Sequence, residues 1–73
     1  MKNTIHIGEI IRKKLREQGR TAVWLAKQLG CDRTKVHRIF KSKDLYSDTI
    51  LNISIILDYD FFFHFSALLK SNE

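Results

Sequence analysis

Apolar residues recur along this chain at intervals of three and four, and short polar segments divide them into separate runs. Residues three or four apart lie on one face of an α-helix, so the spacing predicts short amphipathic helices. Residues 53–57 have a strand-like, β-branched composition, but the polar residues that flank them favour a helix. A chain of 73 residues has room for one small core. We therefore expect a single all-α domain, 1–73, folded as a compact bundle of about five short helices.

Glycine and short polar residues mark the ends of the first three predicted helices. Gly19 and Gly30 are expected to end the first and second helices in the left-handed conformation, which is open to glycine because it lacks a Cβ. Thr21 and Asp32 are expected to cap the second and third helices, since their side-chain oxygens can accept hydrogen bonds from free N–H groups of a first turn. The positions predicted to face the core are Ile7, Ile10, Ile11, Leu15, Leu25, Ala26, Leu29, Val36, Ile39 and Phe40.

Two further helices are predicted after a loop at residues 41–44, which lack apolar periodicity. Either Ser47 or Asp48 is the expected cap of the fourth helix, which ends at Leu57. Asp60 is the expected cap of the fifth helix, which ends at Leu69.

Positive charge is concentrated in one half of the chain. From residue 12 to residue 43, eleven Lys or Arg stand against two acidic residues; from residue 44 onward, one Lys stands against five. The formal net charge of +5 thus combines a basic half with an acidic half. This asymmetry is typical of a domain that binds a polyanion on one side, and solvated surface is the alternative reading of a basic run.

Residues 22–41 have the spacing of a helix-turn-helix, a unit of two short helices that cross closely. Ala26 supplies the small residue that a close crossing needs, and Gly30 tolerates the positive φ of the turn. Leu29, Val36 and Ile39 would seal the two helices against the core. The unit coincides with the maximum of positive charge, which favours DNA as the polyanion.

The segment from Thr21 to Ile39 resembles the phage-repressor and Cro-like family of helix-turn-helix regulators, also called the XRE family. Residues 50–57 fit the fourth helix of that family, so the resemblance covers roughly residues 7–65. It implies a lambda-repressor-like domain whose third helix reads the major groove of double-stranded DNA. Our hypothesis is a transcriptional repressor that acts by occupying a promoter, and an activator, which would need a contact to polymerase, is the alternative. It also implies that the start of the second helix and the loop after the third hold phosphates.

Base-reading residues are expected on the outer face of the helix at 33–40. The resemblance assigns this role to Arg33, Thr34 and Arg38, and the inward positions of the same helix leave His37 outside with them. Arg33 or Arg38 could donate two hydrogen bonds to guanine, which discriminates that base by roughly 1–3 kcal/mol. The candidate contacts to the DNA backbone are Arg20, Thr21, Lys35, Lys41, Lys43 and Tyr46. For each of them, the alternative is an exposed side chain that contacts only solvent.

Two features depart from the family pattern. Many members have a buried Arg–Glu pair between the first and third helices, whereas this chain has Leu15 and Phe40, and we expect the two side chains to touch. Trp24 occupies a position that is usually polar. It is expected to pack under a neighbouring helix, to line a partner surface, or to place its indole N–H on a phosphate.

The tail at residues 60–70 contains four of the five phenylalanines. A helix that faces one small core is expected to bury Phe62, Phe65, Leu68 and Leu69. Phe61 and Phe63 would remain partly exposed and are candidates for a homodimer interface; the alternative is that they cover the base of the core. An alternative function is a protein-interaction module, such as an antitoxin-like partner that uses this aromatic tail.

Other classes of function are not favoured by the sequence. His6, His37 and His64 lie far apart with no metal-ligand spacing, so we expect no metal site. Cys31 has no nucleophile motif and there is no phosphate-binding glycine loop, so we expect no catalytic residue, cofactor or small-molecule ligand. A single cysteine suits a reducing cytosol, and no segment resembles a signal peptide or a membrane span. We therefore expect a protein of the prokaryotic cytosol or nucleoid that does not bind membranes.

Overall fold

Five α-helices make up most of residues 5–71, which are the residues that the computed structural model describes. They are α1 (Ile7–Glu17), α2 (Ala22–Leu29), α3 (Arg33–Lys41), α4 (Ser47–Leu57) and α5 (Phe62–Ser71). No strand occurs in this part of the chain. The predicted all-α bundle of five short helices is therefore confirmed.

One apolar cluster lies between α1, α2, α3, α4 and the turn that precedes α5. None of the buried side chains in the described residues is polar or charged. The buried members of the cluster are Ile7, Ile11, Leu15, Leu25, Ala26, Val36, Ile39, Ile50, Ile53, Leu57 and Phe61. Removal of this apolar surface from water is the main force that holds the helices together.

Four predicted caps occur as expected. Gly19 and Gly30 have φ values of 71° and 72°, in the left-handed region. The N–H of Trp24 donates to the Oγ1 of Thr21 (3.1 Å), and the N–H of Lys35 donates to a carboxylate oxygen of Asp32 (3.0 Å). Each bond satisfies one N–H group that the helix itself leaves without a partner.

The predicted cap of α4 is wrong. Ser47 is already the first helical residue, and the N-cap is Tyr46, which makes no side-chain cap hydrogen bond. Asp48 therefore lies within the first turn, where a carboxylate stabilises the helix through the partial positive charge of its N-terminus. Asp60, by contrast, accepts the N–H of Phe62 at 3.0 Å, so its predicted role at the start of α5 is confirmed.

The expected exposure pattern of the aromatic tail is partly wrong. Phe61 is fully buried, whereas Phe63 is 60% exposed as expected. Phe61 precedes α5 and belongs to a turn, so helical periodicity does not apply to it. Its N–H donates to the Oγ of Ser54 (3.4 Å), and its ring packs against Tyr59 with centroids 4.8 Å apart.

The outer part of α5 is also more exposed than its spacing predicts. Phe65 is 37% exposed and Leu69 is 67% exposed, so their expected burial is wrong. Phe62 and Leu68 are half-buried. The extensive helix–helix contacts in the described residues join α1 to α3, α2 to α3 and α2 to α4, and α5 has none of comparable extent. The core thus reaches the start of α5 but covers little of its length.

The N-terminus of α1 lies directly against the end of α3. The N–H of Gly8 donates to the carbonyl of Ser42 (2.9 Å), and the N–H of Ile7 donates to the carbonyl of Lys43 (3.4 Å). A Cβ at position 8 would collide with the carbonyl oxygens of Ile39 and Phe40. Only glycine allows the two backbones to approach so closely.

Leu15 and Phe40 contribute to the same apolar cluster. Leu15 is buried within it, and Phe40 is partly buried against it. The positions that hold an ion pair in many members of the resembled family thus leave no buried charge here. Direct contact between the two side chains stays a prediction.

Gly8→Ala should lower the free energy of unfolding by about 3 kcal/mol, because a Cβ collides with backbone atoms that cannot rotate away. Urea titration monitored by circular dichroism measures the free energy of unfolding. Gly19→Ala is the matched control: a Cβ there has nothing within 4 Å, and only the positive φ costs about 1 kcal/mol. Alanine normally stabilises a helix interior relative to glycine, so an unchanged or more stable Gly8→Ala variant would contradict the backbone contact.

Candidate nucleic-acid interface

The outer face of α3 carries only basic and neutral polar side chains. Arg33, Thr34, Lys35, His37 and Arg38 are all exposed, while Val36 and Ile39 of the same helix are buried. Neither α2 nor α3 contains an acidic residue. A continuous basic surface therefore projects from this helix.

The structure exposes every residue predicted to contact DNA. These are Arg20, Thr21, Arg33, Thr34, Lys35, His37, Arg38, Lys41, Lys43 and Tyr46. None of their side chains is needed to fill the core, so all of them are available to a ligand.

The turn between α2 and α3 is fixed by the backbone. The N–H of Cys31 donates to the carbonyl of Ala26 (3.0 Å), and the N–H of Gly30 donates to the carbonyl of Lys27 (3.3 Å). These bonds satisfy carbonyls at the end of α2. Together with the left-handed Gly30, they set the angle at which α3 leaves the turn.

A groove runs along one side of α3. Thr34, Lys35 and Arg38 line one wall, and Leu45 and Tyr46 contribute to the other. The side chain of Tyr46 is 84% exposed, so its hydroxyl can donate a hydrogen bond outside the protein. The structure thus brings Tyr46 next to two of the predicted base-reading residues.

A second groove lies between α3 and α1. His37, Phe40 and Lys41 face Arg12 across it, together with His6 and Glu9. The His37 ring meets the Phe40 ring edge to face, with centroids 5.8 Å apart, which restricts the orientation of the imidazole. Arg12 was not among the sequence-predicted contacts, and it adds a second cation to the groove.

Gly8 is the signal that could have identified Arg12. A glycine inside an amphipathic helix weakens that helix and often marks a close approach of another backbone. An approach of α3 at Gly8 places the next exposed turn of α1, with Arg12, beside the end of α3.

The N-terminus of α2 carries a further basic group. The guanidinium carbon of Arg20 lies 4.5 Å from the centroid of the Trp24 ring, within the range of a cation–π interaction. Trp24 is also packed against the apolar cluster, which confirms the packing alternative. The Oγ1 of Thr21 accepts the cap hydrogen bond and keeps its own hydrogen for an outside acceptor.

Residues 5–71 contain no group of three or more His, Cys, Asp or Glu side chains that could hold a metal ion. No single helix among them is long and apolar enough to cross a membrane; α4 and α5 pass that test only as a pair, across a bend of 116°.

Comparisons of the chain with protein-family models, with curated proteins and with solved structures give no match.

Asp32→Ala should lower the free energy of unfolding by about 1 kcal/mol, because α3 loses its side-chain cap. Asp32→Asn should restore most of that stability, since an amide oxygen accepts the same hydrogen bond. Chemical denaturation of the three proteins provides the measurement. Asp44→Ala is the control for loss of a carboxylate, because Asp44 is exposed and lies outside every helix. Equal losses for Asp32→Ala and Asp32→Asn would show that charge, not capping, is the cause.

Proposed function

We propose that this protein binds double-stranded DNA in a sequence-specific manner and represses transcription by occupying a promoter. The observation that carries the proposal is the outer face of α3, on which five exposed basic or polar side chains stand with no acidic residue between them. The resemblance of residues 21–39 to the Cro-like family points to the same function.

The dimensions of α3 suit the major groove. An α-helix with its side chains is about 10–12 Å across, and the major groove of B-DNA is about 12 Å wide. Arg33 lies at the start of α3 and Arg38 lies more than one turn later, so the two guanidinium groups can reach different base pairs. Thr34 and His37 supply a methyl group and a ring nitrogen for the neighbouring base edges.

Phosphate contacts come from the segments on either side of α3. The first turn of α2 offers Arg20, the Thr21 hydroxyl and free N–H groups, and the partial positive charge of a helix N-terminus attracts anions. Lys41 is the last residue of α3, and Lys43 and Tyr46 follow the helix. Such contacts set the position of a protein on the duplex, while the base contacts select the sequence.

Arg33→Ala and Arg38→Ala should each weaken binding to the preferred sequence by about 1–3 kcal/mol and reduce the preference at one position of the site. The preferred duplex is first selected from a random pool by the wild-type protein. Fluorescence anisotropy then compares that duplex with a scrambled duplex for each variant.

Arg16→Ala is the matched control for these two variants. It removes the same charge from the exposed side of α1, outside the proposed contacts, so both duplexes should be affected equally and weakly. Base reading by α3 would be contradicted if the wild-type protein selected no preferred sequence. It would also be contradicted if Arg16→Ala and Arg33→Ala lost equal affinity for the preferred duplex.

Lys41→Ala combined with Lys43→Ala should weaken binding to the preferred and scrambled duplexes alike. The slope of log K against log salt should fall in magnitude by roughly 2, because two phosphate contacts no longer release counterions. Titrations at several salt concentrations measure the slope. An unchanged slope would exclude both lysines from the phosphate contacts.

The exposed aromatic helix α5 favours a second candidate, a module that binds another protein. Phe63 and Leu69 are both more than half exposed. Loss of function on substitution of these residues, with Arg33 and Arg38 dispensable, would favour that candidate over DNA binding.

A further inference from the structure

Arg20 lies between α1 and α2, and its charge has no acidic partner. The carboxylate nearest to it in the sequence belongs to Glu17, which pairs with Lys14 at 3.0 Å. The first turn of α2 contains no acidic residue. Within residues 5–71, no hydrogen bond or ion pair engages the guanidinium of Arg20. A cation beside the positive end of a helix is unfavourable, and an anion from outside the chain would relieve this.

The ring of Trp24 lies where an acidic partner of Arg20 would otherwise be expected. The guanidinium carbon of Arg20 lies 4.5 Å from the centroid of that ring. The ring attracts the positive charge through its π electrons. This contact forms no hydrogen bond, so the N–H donors of the guanidinium stay available. A carboxylate in the same place would occupy those donors and neutralise the charge.

Both members of this pair are held in place by the main chain. The N–H of Arg20 donates to the carbonyl of Leu15 (3.0 Å), and the N–H of Trp24 donates to the Oγ1 of Thr21 (3.1 Å). The Trp24 ring also packs against the apolar cluster. The ring is therefore a fixed surface, and contact with it restricts the rotamers of an arginine whose side chain is otherwise exposed.

We propose that Trp24 is a positioning residue for DNA binding: it holds the guanidinium of Arg20 at the start of α2, where that group meets a phosphate of the DNA backbone. This role rests on the DNA binding proposed for the protein. A flexible side chain loses conformational entropy when it binds, and one that a ring already restricts loses less. Arginine can also donate two parallel hydrogen bonds to one phosphate, which requires a defined orientation.

This role is not part of the family pattern, because the position of Trp24 is usually polar in the family that residues 21–39 resemble. It also differs from a direct hydrogen bond between the indole N–H and a phosphate. Phenylalanine has an aromatic face but no N–H group, so it keeps the positioning contact and cannot make the direct one. The two roles therefore predict different results for the same substitution.

Trp24→Phe and Trp24→Leu separate the ring face from the indole N–H. Leucine retains an apolar side chain for the core but has no ring. Trp24→Leu should weaken binding to the preferred duplex about twofold to tenfold, which corresponds to ordering one long side chain. Trp24→Phe should lose less, since phenylalanine also attracts a cation. Fluorescence anisotropy measures both losses, and circular dichroism verifies that each variant is folded. Equal losses would assign the effect to the indole N–H and overturn the proposal.

A double-mutant cycle with Arg20→Ala tests whether Trp24 acts through Arg20. Arg20→Ala should weaken binding and lower the magnitude of the slope of log K against log salt by about 1, because one phosphate contact is lost. The addition of Trp24→Leu to Arg20→Ala should cause little further loss of affinity. If the double variant instead lost the full effect of both substitutions, Trp24 would act independently of Arg20 and the proposal would fail.

Phe63→Leu is the matched control for the change from an aromatic residue to leucine. Phe63 is 60% exposed on α5, outside the proposed DNA contacts, so this variant should bind DNA like the wild type. If the wild type binds the duplex and Trp24→Leu binds it equally well, the role of Trp24 alone is overturned. If the wild type binds no duplex, the proposed DNA binding is overturned and the role of Trp24 with it.

Discussion

The contact between the start of α1 and the end of α3 is the constraint on which the rest of the structure depends. It joins helix ends of opposite partial charge, and the N–H groups of one bond to carbonyls that follow the other. Gly8 makes this possible because any side chain there would meet the backbone of Ile39 and Phe40. Since main-chain atoms form the junction, α3 is held at its C-terminal end without the use of an outer-face side chain.

The N-terminal end of α3 is also held without the use of an outer-face side chain. Asp32 caps the first turn, and the backbone bond from Cys31 closes the turn after α2. With both ends fixed in this way, Val36 and Ile39 buried and Phe40 packed against the core, the exposed side chains of α3 are not needed to hold the helix in place. This division explains how a core formed by so few residues can leave an entire helix face to a ligand.

The sequence predicted the helices and most of their caps because these depend on neighbours in the chain. Thr21 and Asp32 bond three residues ahead, and Gly30 needs only its own conformational freedom. The features that the sequence did not predict depend on tertiary structure. The burial of Phe61 depends on Asp58, a non-glycine residue that adopts a φ of 52° after α4, and on a backbone that leaves helical geometry. The importance of Gly8 depends on a partner more than thirty residues away; a glycine inside an amphipathic helix indicates that some backbone approaches closely, but it does not identify which one.

The side chain of Gln18 has a consequence for how the domain unfolds. Its Nε2 donates to the carbonyl of Leu57 at 2.7 Å, across 39 residues of chain, while the opposite end of α1 bonds to Ser42. Helix α1 therefore bonds to the segment just after the helix-turn-helix, at Ser42, and to the end of α4, at Leu57. Closing such long loops has an entropic cost that only simultaneous burial of the core offsets. We therefore expect that α1 does not detach while the helix-turn-helix and α4 stay folded, and that these helices unfold together.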